Sequence, residues 1–100
     1  MRSYKMPREE AANVRTQILN TAIKALGNRG IEHGEAHRNM KHTAALWSAY
    51  LGVEISDIDV PQMLILLKAS RIRCGNAAQI DHYVDQCGYS AIGGEIAQKI

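Results

Sequence analysis

Phenylalanine is absent from this 100-residue sequence, and tryptophan occurs once, at Trp47. The core must therefore be built from Ala, Leu, Ile, Val and Met, which suits closely packed helices better than a sandwich of aromatic-rich strands. The two cysteines, Cys74 and Cys87, match neither a zinc site nor a secreted disulfide framework. We therefore expect them to be reduced, half-buried thiols.

Long apolar runs and clustered charge are also missing. No apolar stretch approaches the roughly 18 residues that a membrane-spanning helix needs, and residues 1–5 lack the apolar segment of a signal peptide. The formal net charge is only +2, and Lys and Arg are scattered, whereas duplex-binding proteins carry a basic stripe. The sequence predicts a soluble, cytoplasmic protein with no membrane partner, and it argues against nucleic acid as a partner.

Helical periodicity is what the sequence does contain. Its length fits a single domain spanning residues 1–100, with a flexible tail at 1–6. Pro7 fits the first turn of a helix, and apolar residues then recur every three or four positions. This pattern predicts a first helix that ends near residue 25 or 26, with Gly27 as a left-handed stop.

The sequence pattern in the middle of the chain predicts a loop followed by a second helix. Three glycines within residues 27–34 indicate a loop. From Glu35 the apolar spacing returns, with Trp47 as the largest anchor, until Gly52 closes the helix. Residues 53–55 resemble a short strand without a pairing partner, so we interpret them as a connection.

The third helix has two candidate starts. Ser56 and Asp59 have the spacing of a capping box, or Asp59 is itself the cap and Pro61 lies in the first turn. Residues 62–67 are nearly all apolar, which predicts that this helix is the most buried. Gly75 should terminate it.

The last helix should run from residue 78 or 79 to the C-terminus. Gly88, Gly93 and Gly94 weaken it by about 1 kcal/mol each relative to alanine, and they would let a neighbouring helix or a second subunit approach closely. The sequence therefore predicts an all-α fold of four helices with short connections, most simply a compact four-helix bundle.

Two carboxylates dominate the start of the last helix. Asp81 and Asp85 lie one turn apart on one face, where they repel each other by a few tenths of a kcal/mol. A divalent cation, a basic partner or water should compensate them. Mg²⁺ would need only one or two carboxylates plus substrate phosphates. Alternatively, Lys68 and Arg71 of the preceding helix neutralise the pair, although these residues could also bind a triphosphate, the arginine bidentately.

A histidine pair precedes and opens the second helix. His33 and His37 have the one-turn spacing that can bind zinc, but they lack the adjacent catalytic glutamate and an obvious third ligand. We interpret them instead as histidines with an orienting role or as part of a loop that contacts a nucleotide, because glycines lie beside them.

Four blocks occur in order along the chain. They are His33-Gly34-x-x-His37-x-Asn39-Met40, Thr43-Ala44-x-Leu46-Trp47-x-Ala49-Tyr50-Leu51-Gly52, Leu66-Leu67-Lys68-x-x-Arg71 and Asp81-x-x-x-Asp85-x-x-Gly88-Tyr89. Over roughly residues 8–98, this order resembles a family of small phage and prophage proteins of unknown function. More distantly, it resembles the all-α nucleoside triphosphate pyrophosphohydrolases of the MazG type.

The MazG resemblance implies a helical bundle that assembles as a homodimer or larger homo-oligomer and uses Mg²⁺. Those enzymes hold the metal with a Glu-Glu-x-x-Glu block and a Glu-x-x-Asp block. Here Asp81 and Asp85 take the place of the second block, with a spacing of four instead of three, and no equivalent of the first block precedes them. The resemblance thus implies a metal site at these aspartates and nucleotide or phosphate contacts from His33, His37, Asn39, Lys68 and Arg71.

Two functions follow from the sequence. In the first, the chain binds or hydrolyses nucleoside triphosphates with Mg²⁺, in the host cytoplasm if it is phage-encoded, and Tyr50, Trp47 and Tyr89 stack on the base. In the second, it is a non-catalytic phage accessory module that binds a host or viral protein. An exposed apolar patch after Trp47, or along the glycine-bearing last helix, would favour the second function. The sequence leaves open whether any turnover occurs.

Overall fold

The computed structural model describes residues 7–27 and 35–98 of the chain. Within these ranges there is no strand, and the prediction of an all-α fold with four helices is confirmed. The helices are α1 (Arg8–Gly27), α2 (Glu35–Leu51), α3 (Asp59–Cys74) and α4 (Ile80–Ala97). Residues 53–55 form a connection, as expected. The predicted tail at 1–6 and the glycine loop at 28–34 lie outside the described residues.

Glycine follows α2 and α3 as predicted, but α1 ends differently. Gly52 has a φ of 73°, which glycine adopts without the steric cost of a Cβ atom, and its N–H donates to the Ser48 carbonyl. Gly75 follows α3 and donates to the Arg71 carbonyl. Gly27 is instead the last residue of α1 and has no positive φ. The predicted left-handed stop is wrong, because glycine permits that conformation without requiring it.

The connection between α2 and α3 is held by hydrogen bonds to both helices. The Ser48 hydroxyl accepts the N–H of Ile55 at 2.8 Å, which ties the connection to α2. The Asp59 carboxylate accepts the Ser56 N–H at 2.9 Å, and the Asp59 N–H donates to the Ser56 hydroxyl at 3.3 Å. The hydrogen bonds of the predicted capping box therefore form and Pro61 lies in the first turn, but α3 begins at Asp59 with Ile58 at the N-cap position, so neither Ser56 nor Asp59 is the cap residue.

Helix α4 is at the centre of the arrangement. It packs against α3 and α1, while α2 packs on α3 and more lightly on α4. Among the described residues, α1 touches neither α2 nor α3. The bundle is therefore open and flat, 46 × 32 × 19 Å, and not the compact one predicted. The reason is that α1 and α2 do not close over the opposite side, which leaves Leu19 and Ile23 of α1 more than half exposed.

Helices α3 and α4 run antiparallel and approach closely at a glycine. Polar contacts link Ile65 to Gln86 and Lys68 to Asp85, so positions rising along α3 meet positions falling along α4. Further along, a Cβ atom on Gly93 would lie 3.4 Å from the Pro61 ring. This is the close helix approach that the glycines of the last helix predicted, because a larger side chain would push the helices apart.

The buried core is small, and α3 is not the most buried helix. The buried apolar residues among those described are Ala22, Ala44, Val60, Val84 and Ile96. On α3, by contrast, Leu66 is 67% exposed and Leu67 is 47% exposed. The prediction from residues 62–67 is wrong, because a run that is apolar all round indicates burial only if neighbours cover every side, and α4 and α2 leave part of the α3 surface uncovered.

No helix within the described ranges is long and apolar enough to cross a membrane. Both cysteines are free thiols. Cys87 is half-buried as expected, whereas Cys74 is exposed near the end of α3.

Candidate functional site

The α3–α4 contact contains an ion pair between Lys68 and Asp85. The Lys68 Nζ lies 2.7 Å from the Asp85 Oδ2. The Lys68 side chain is only 17% exposed, whereas the Asp85 carboxylate is 42% exposed. The packing thus fixes the cation and leaves the carboxylate open to solvent on one side. The charge pairing that the sequence allowed between the two helices is confirmed for these two residues.

Two further charged residues lie one turn away from this pair. Arg71 follows Lys68 by three positions, and Asp81 precedes Asp85 by four, so each is next to its neighbour on the helix surface. Because α3 and α4 are antiparallel, both steps lead toward the α3–α4 connection. Arg71 and Asp81 are exposed, and neither makes an ion pair within the described residues. We call these four residues the charge cluster.

A groove between α1 and α4 borders the charge cluster. It encloses about 170 Å³, and Asp85 is one of its lining residues. Ala22 and Ala25 of α1 and Gly88 of α4 keep it open because their side chains are small or absent, while Tyr89 supplies an aromatic wall. Of the three aromatic residues expected to stack on a base, the structure therefore places Tyr89 at the groove. Tyr50 is 88% exposed on α2, and α2 does not contact α1 in the described part of the chain.

The acidic residues of the charge cluster fit a metal ion that is also coordinated by the phosphates of a ligand better than one that is bound by protein groups alone. No group of three or more His, Cys, Asp or Glu side chains that could hold a metal occurs among residues 7–27 and 35–98. Asp81 and Asp85 can supply one or two carboxylate oxygens, which is the ordinary protein share of an Mg²⁺ site that also includes substrate phosphates. The donor set therefore fits Mg²⁺ only when phosphates complete its coordination.

His37 has its own partner, away from the charge cluster. Its Nε2 lies 2.7 Å from the Asp57 Oδ2 in the α2–α3 connection. The hydrogen bond from His37 holds the pKa of Asp57 below the ordinary value of 3.8. The positive charges of His37 and Lys41 lower this pKa further, whereas partial burial of the carboxylate raises it. Asp59, two residues after Asp57, is the first residue of α3. Lys68 lies nine positions later, at a distance of about 13 Å along the helix axis.

The predicted nucleotide-binding residues are therefore not all brought together. Lys68 contacts Asp85, and Arg71 and Asp81 lie about one helical turn from that pair, whereas His37 pairs with Asp57 toward the opposite end of α3. Asn39 is exposed on α2, and no side-chain hydrogen bond is found for it within the described ranges. His33 lies outside the described residues.

Sequence reasoning missed three polar residues near these sites. Asp57 was not recognised as the partner of His37, although it stands in the acidic Ser-Asp-Ile-Asp stretch. Gln86 donates from its Nε2 to the Ile65 carbonyl at 3.3 Å, and its place on the α3-facing side of α4 was a usable signal. The Nδ1 atom of His82 is buried and has no hydrogen-bond partner among residues 7–27 and 35–98, which no spacing pattern indicated.

Comparison with known proteins identifies relatives in phages. Residues 17–97 match the family described as Domain of unknown function (DUF6378). Over 74 residues, the chain is 41% identical to the Gene 55 protein of Mycobacterium phage D29, covering 73% of this chain and 48% of that protein. It is 40% identical over 77 residues to the Gene 55 protein of Mycobacterium phage L5, covering 75% and 49% respectively.

The chain spans about half the length of these curated relatives, and no solved structure matches it. The matches confirm the resemblance to small phage proteins, while the resemblance to MazG-type enzymes stays a prediction. Since the matched segment includes nearly all the described helices, the chain belongs to the DUF6378 family.

Proposed function

We propose that this chain binds a nucleoside triphosphate together with Mg²⁺ at the charge cluster of Lys68, Arg71, Asp81 and Asp85. The Lys68–Asp85 contact carries the proposal, because it places a fixed cation and a half-open carboxylate 2.7 Å apart beside a groove. A magnesium–triphosphate complex needs both signs of charge, since its phosphates are anionic and its metal is cationic.

Each residue of the charge cluster has a distinct role in this proposal. Lys68 acts as a compact point charge toward the phosphates, and its buried stem limits how far it can move. Arg71 is exposed and without an ion pair among the described residues, so its guanidinium is available to bind a phosphate through two parallel hydrogen bonds. Asp81 and Asp85 provide carboxylate oxygens for Mg²⁺.

The groove between α1 and α4 is the proposed place for the base or sugar. Asp85 belongs to both the groove and the charge cluster, so a ligand whose phosphates reach Lys68 would extend directly into the groove. Tyr89 offers an aromatic surface there, while Ala22, Ala25 and Gly88 leave room. His37 and Asn39 have no role in this version of the site.

In the enzymatic form of the proposal, Mg²⁺ would polarise the phosphates when bound. A water oxygen would bond to the α-phosphorus, and the bond from that phosphorus to the α–β bridging oxygen would break. Pyrophosphate would leave with the electron pair, and the water proton would pass to a carboxylate or to solvent. This chemistry rests on the resemblance to MazG-type enzymes, whereas binding alone rests on the charge cluster.

Isothermal titration with Mg²⁺ and a panel of non-hydrolysable dNTP analogues tests the proposal. We expect micromolar binding that requires both the metal and the nucleotide, with little binding of Mg²⁺ alone. The Asp81→Ala/Asp85→Ala variant should weaken binding at least tenfold. Glu54→Ala is the matched control, because Glu54 is an exposed acid in the α2–α3 connection, far along the chain from the charge cluster.

Folding must be separated from binding, because removing Asp85 leaves the largely buried Lys68 without its partner. Asp85→Asn keeps the side-chain shape and a hydrogen-bond acceptor, so it should retain the helical circular dichroism signal while still losing binding. Absence of binding by the wild-type protein across the whole panel would overturn the proposal. Equal binding by the wild type and the double variant would overturn the assignment of the metal ligands.

A second candidate function is a non-catalytic module that binds a host or viral protein. The observation that favours it is a set of exposed apolar side chains after Trp47. Tyr50 is 88% exposed, Leu51 is 54% exposed and Val53 is 57% exposed. Under this alternative, a pull-down would recover a partner whose binding survives Asp81→Ala/Asp85→Ala and is lost on Tyr50→Ser/Leu51→Ser.

A further inference from the structure

Helix α3 carries a second face that points away from α4 and is apolar at its centre. Its members recur at helical spacing and are Asp59, Met63, Leu66, Leu67, Ser70 and Cys74, a set that we call the outer face of α3. Met63 is 36% exposed, Leu66 is 67% exposed and Leu67 is 47% exposed. The residues that α3 directs at α4 or into the core are different ones, and they include Pro61 and Lys68.

This exposure is unusual because of its arrangement. Single exposed apolar side chains are normal on protein surfaces, but three large ones in one stripe on one helix resemble a packing face. Burying a leucine side chain fully contributes about 1.5–3 kcal/mol. The stripe therefore offers a substantial gain to any helix that covers it, and the packing of the described helices leaves Leu66 67% exposed and Leu67 47% exposed.

We propose that the outer face of α3 binds the same face of a second copy of this chain, with the two α3 helices antiparallel about a twofold axis. The spacing along the face reads the same in both directions, with steps of four, three, one, three and four residues. Antiparallel pairing therefore sets Leu66 against Leu67 of the second copy, Met63 against Ser70, and Asp59 against Cys74. Such self-complementarity is what a twofold interface requires.

Charge along the helix selects the antiparallel direction. Asp59 lies in the first turn of α3, and Arg73 lies in the last turn beside Cys74. Antiparallel pairing brings the acidic start of one helix next to the basic end of the other and also opposes their dipoles favourably. Parallel pairing would set Asp59 against Asp59 and Arg73 against Arg73. An interface made by one face of a single helix in each copy would be at the small end of protein interfaces, so we expect a reversible dimer.

Sedimentation equilibrium over a wide concentration range tests the dimer. The wild-type protein should shift with concentration from a mass of 11.1 kDa toward twice that value. Leu67→Glu places like charges near the twofold axis and should weaken dimerisation at least tenfold. Tyr50→Glu is the control, because Tyr50 is even more exposed but lies on α2, and it should leave dimerisation unchanged. A wild-type protein that stays monomeric, or a Leu67→Glu variant that dimerises normally, would overturn the proposal.

Cysteine cross-linking tests the direction of pairing. In a Cys74→Ser background, Leu67→Cys should form a covalent dimer on mild oxidation, because position 67 lies within about one residue of its own counterpart across the axis. Cys74 in the wild type should not cross-link, since antiparallel pairing separates the two copies of Cys74 by about 22 Å, far beyond disulfide reach. Ready cross-linking through Cys74 would indicate parallel pairing and refute the proposed arrangement. These variants leave the charge cluster intact, so their failure would not count against nucleotide binding.

Discussion

Among single residues, Asp57 gives the clearest pH dependence. Its pKa lies below 3.8 in the folded protein because His37 donates a hydrogen bond to the ionised carboxylate. A lowered folded-state pKa adds stability that is present above the unfolded value and is lost as the pH falls through the folded value. Wild type should therefore unfold at higher urea than Asp57→Asn near pH 6, and the difference should shrink as the pH falls below about 4.

Urea unfolding of both proteins between pH 6 and pH 2.5 measures this effect. Glu54→Gln serves as a control, because Glu54 is exposed, lies outside the helices and forms no ion pair among the described residues. Its difference from wild type should change little across the same range. A stability difference at Asp57 that does not depend on pH would mean that shape, and not charge, accounts for it.

The Lys68–Asp85 and His37–Asp57 pairs differ in how far the sequence could predict them. Lys68 and Asp85 lie on consecutive helices joined by a short connection, so antiparallel packing limits which positions can meet, and the sequence allowed this pair. The pairing of His37 with Asp57 crosses from the first turns of α2 to the connection after it. It depends on how that connection folds back through Ser48 and Ile55, which periodicity does not encode.

At the level of helices, the boundaries were more predictable than the burial. Apolar spacing and glycine signals place the ends of α2 and α3 at the residues where they occur, because capping and left-handed φ are local properties. Burial of residues 62–67 depends on how many neighbours surround α3, and this is not local. Composition alone could not distinguish a buried helix from one whose apolar side chains stay exposed.

The glycines of α4 give a test at the same scale. A Cβ atom on Gly94 would meet nothing within 4 Å, whereas one on Gly93 would lie 3.3 Å from Gln62 Nε2 and 3.4 Å from the Pro61 ring. Gly94→Ala should therefore stabilise the protein by up to about 1 kcal/mol through helix propensity. Gly93→Ala should gain less or lose stability, because the rigid proline ring cannot move aside cheaply.

Urea midpoints of the two variants, measured at one protein concentration, decide this prediction. Gly88→Ala is a second control, because that position also has open space around an added Cβ atom. The expected order of midpoints places Gly94→Ala above wild type and Gly93→Ala below Gly94→Ala. Equal gains at Gly93 and Gly94 would mean that α3 and α4 can separate slightly without cost.

For the whole molecule, the open arrangement is what the sequence could not predict. Four amphipathic helices with short connections are compatible with a closed bundle and with a flat one, because each needs only one covered side. The choice depends on which faces pair over long sequence separations. Here α4 is covered by α3 and α1, while Leu66 of α3 stays 67% exposed and Leu67 stays 47% exposed. The prediction of a single closed core is therefore wrong for this molecule.

Because its helices are packed unevenly, the molecule should also unfold locally, one segment before another. Helix α1 touches only α4 among the described helices and contributes one buried residue, Ala22, whereas α4 contributes Val84, Gly93 and Ile96. Segments with few buried contacts open at lower free energy than the core. Hydrogen–deuterium exchange should therefore show the amides of α1 exchanging at least tenfold faster than those in the middle of α3 and α4.

Two charge substitutions on α1 sharpen this last prediction. Ala22→Asp places a carboxylate in the contact with α4, where Ala22 is only 5% exposed, so it should speed exchange in α1 further and leave α3 unchanged. Asn20→Asp adds the same charge at an exposed position of the same helix and should have little effect. If Ala22→Asp speeds exchange equally in all four helices, α1 unfolds together with the rest, and the open bundle behaves as one cooperative unit.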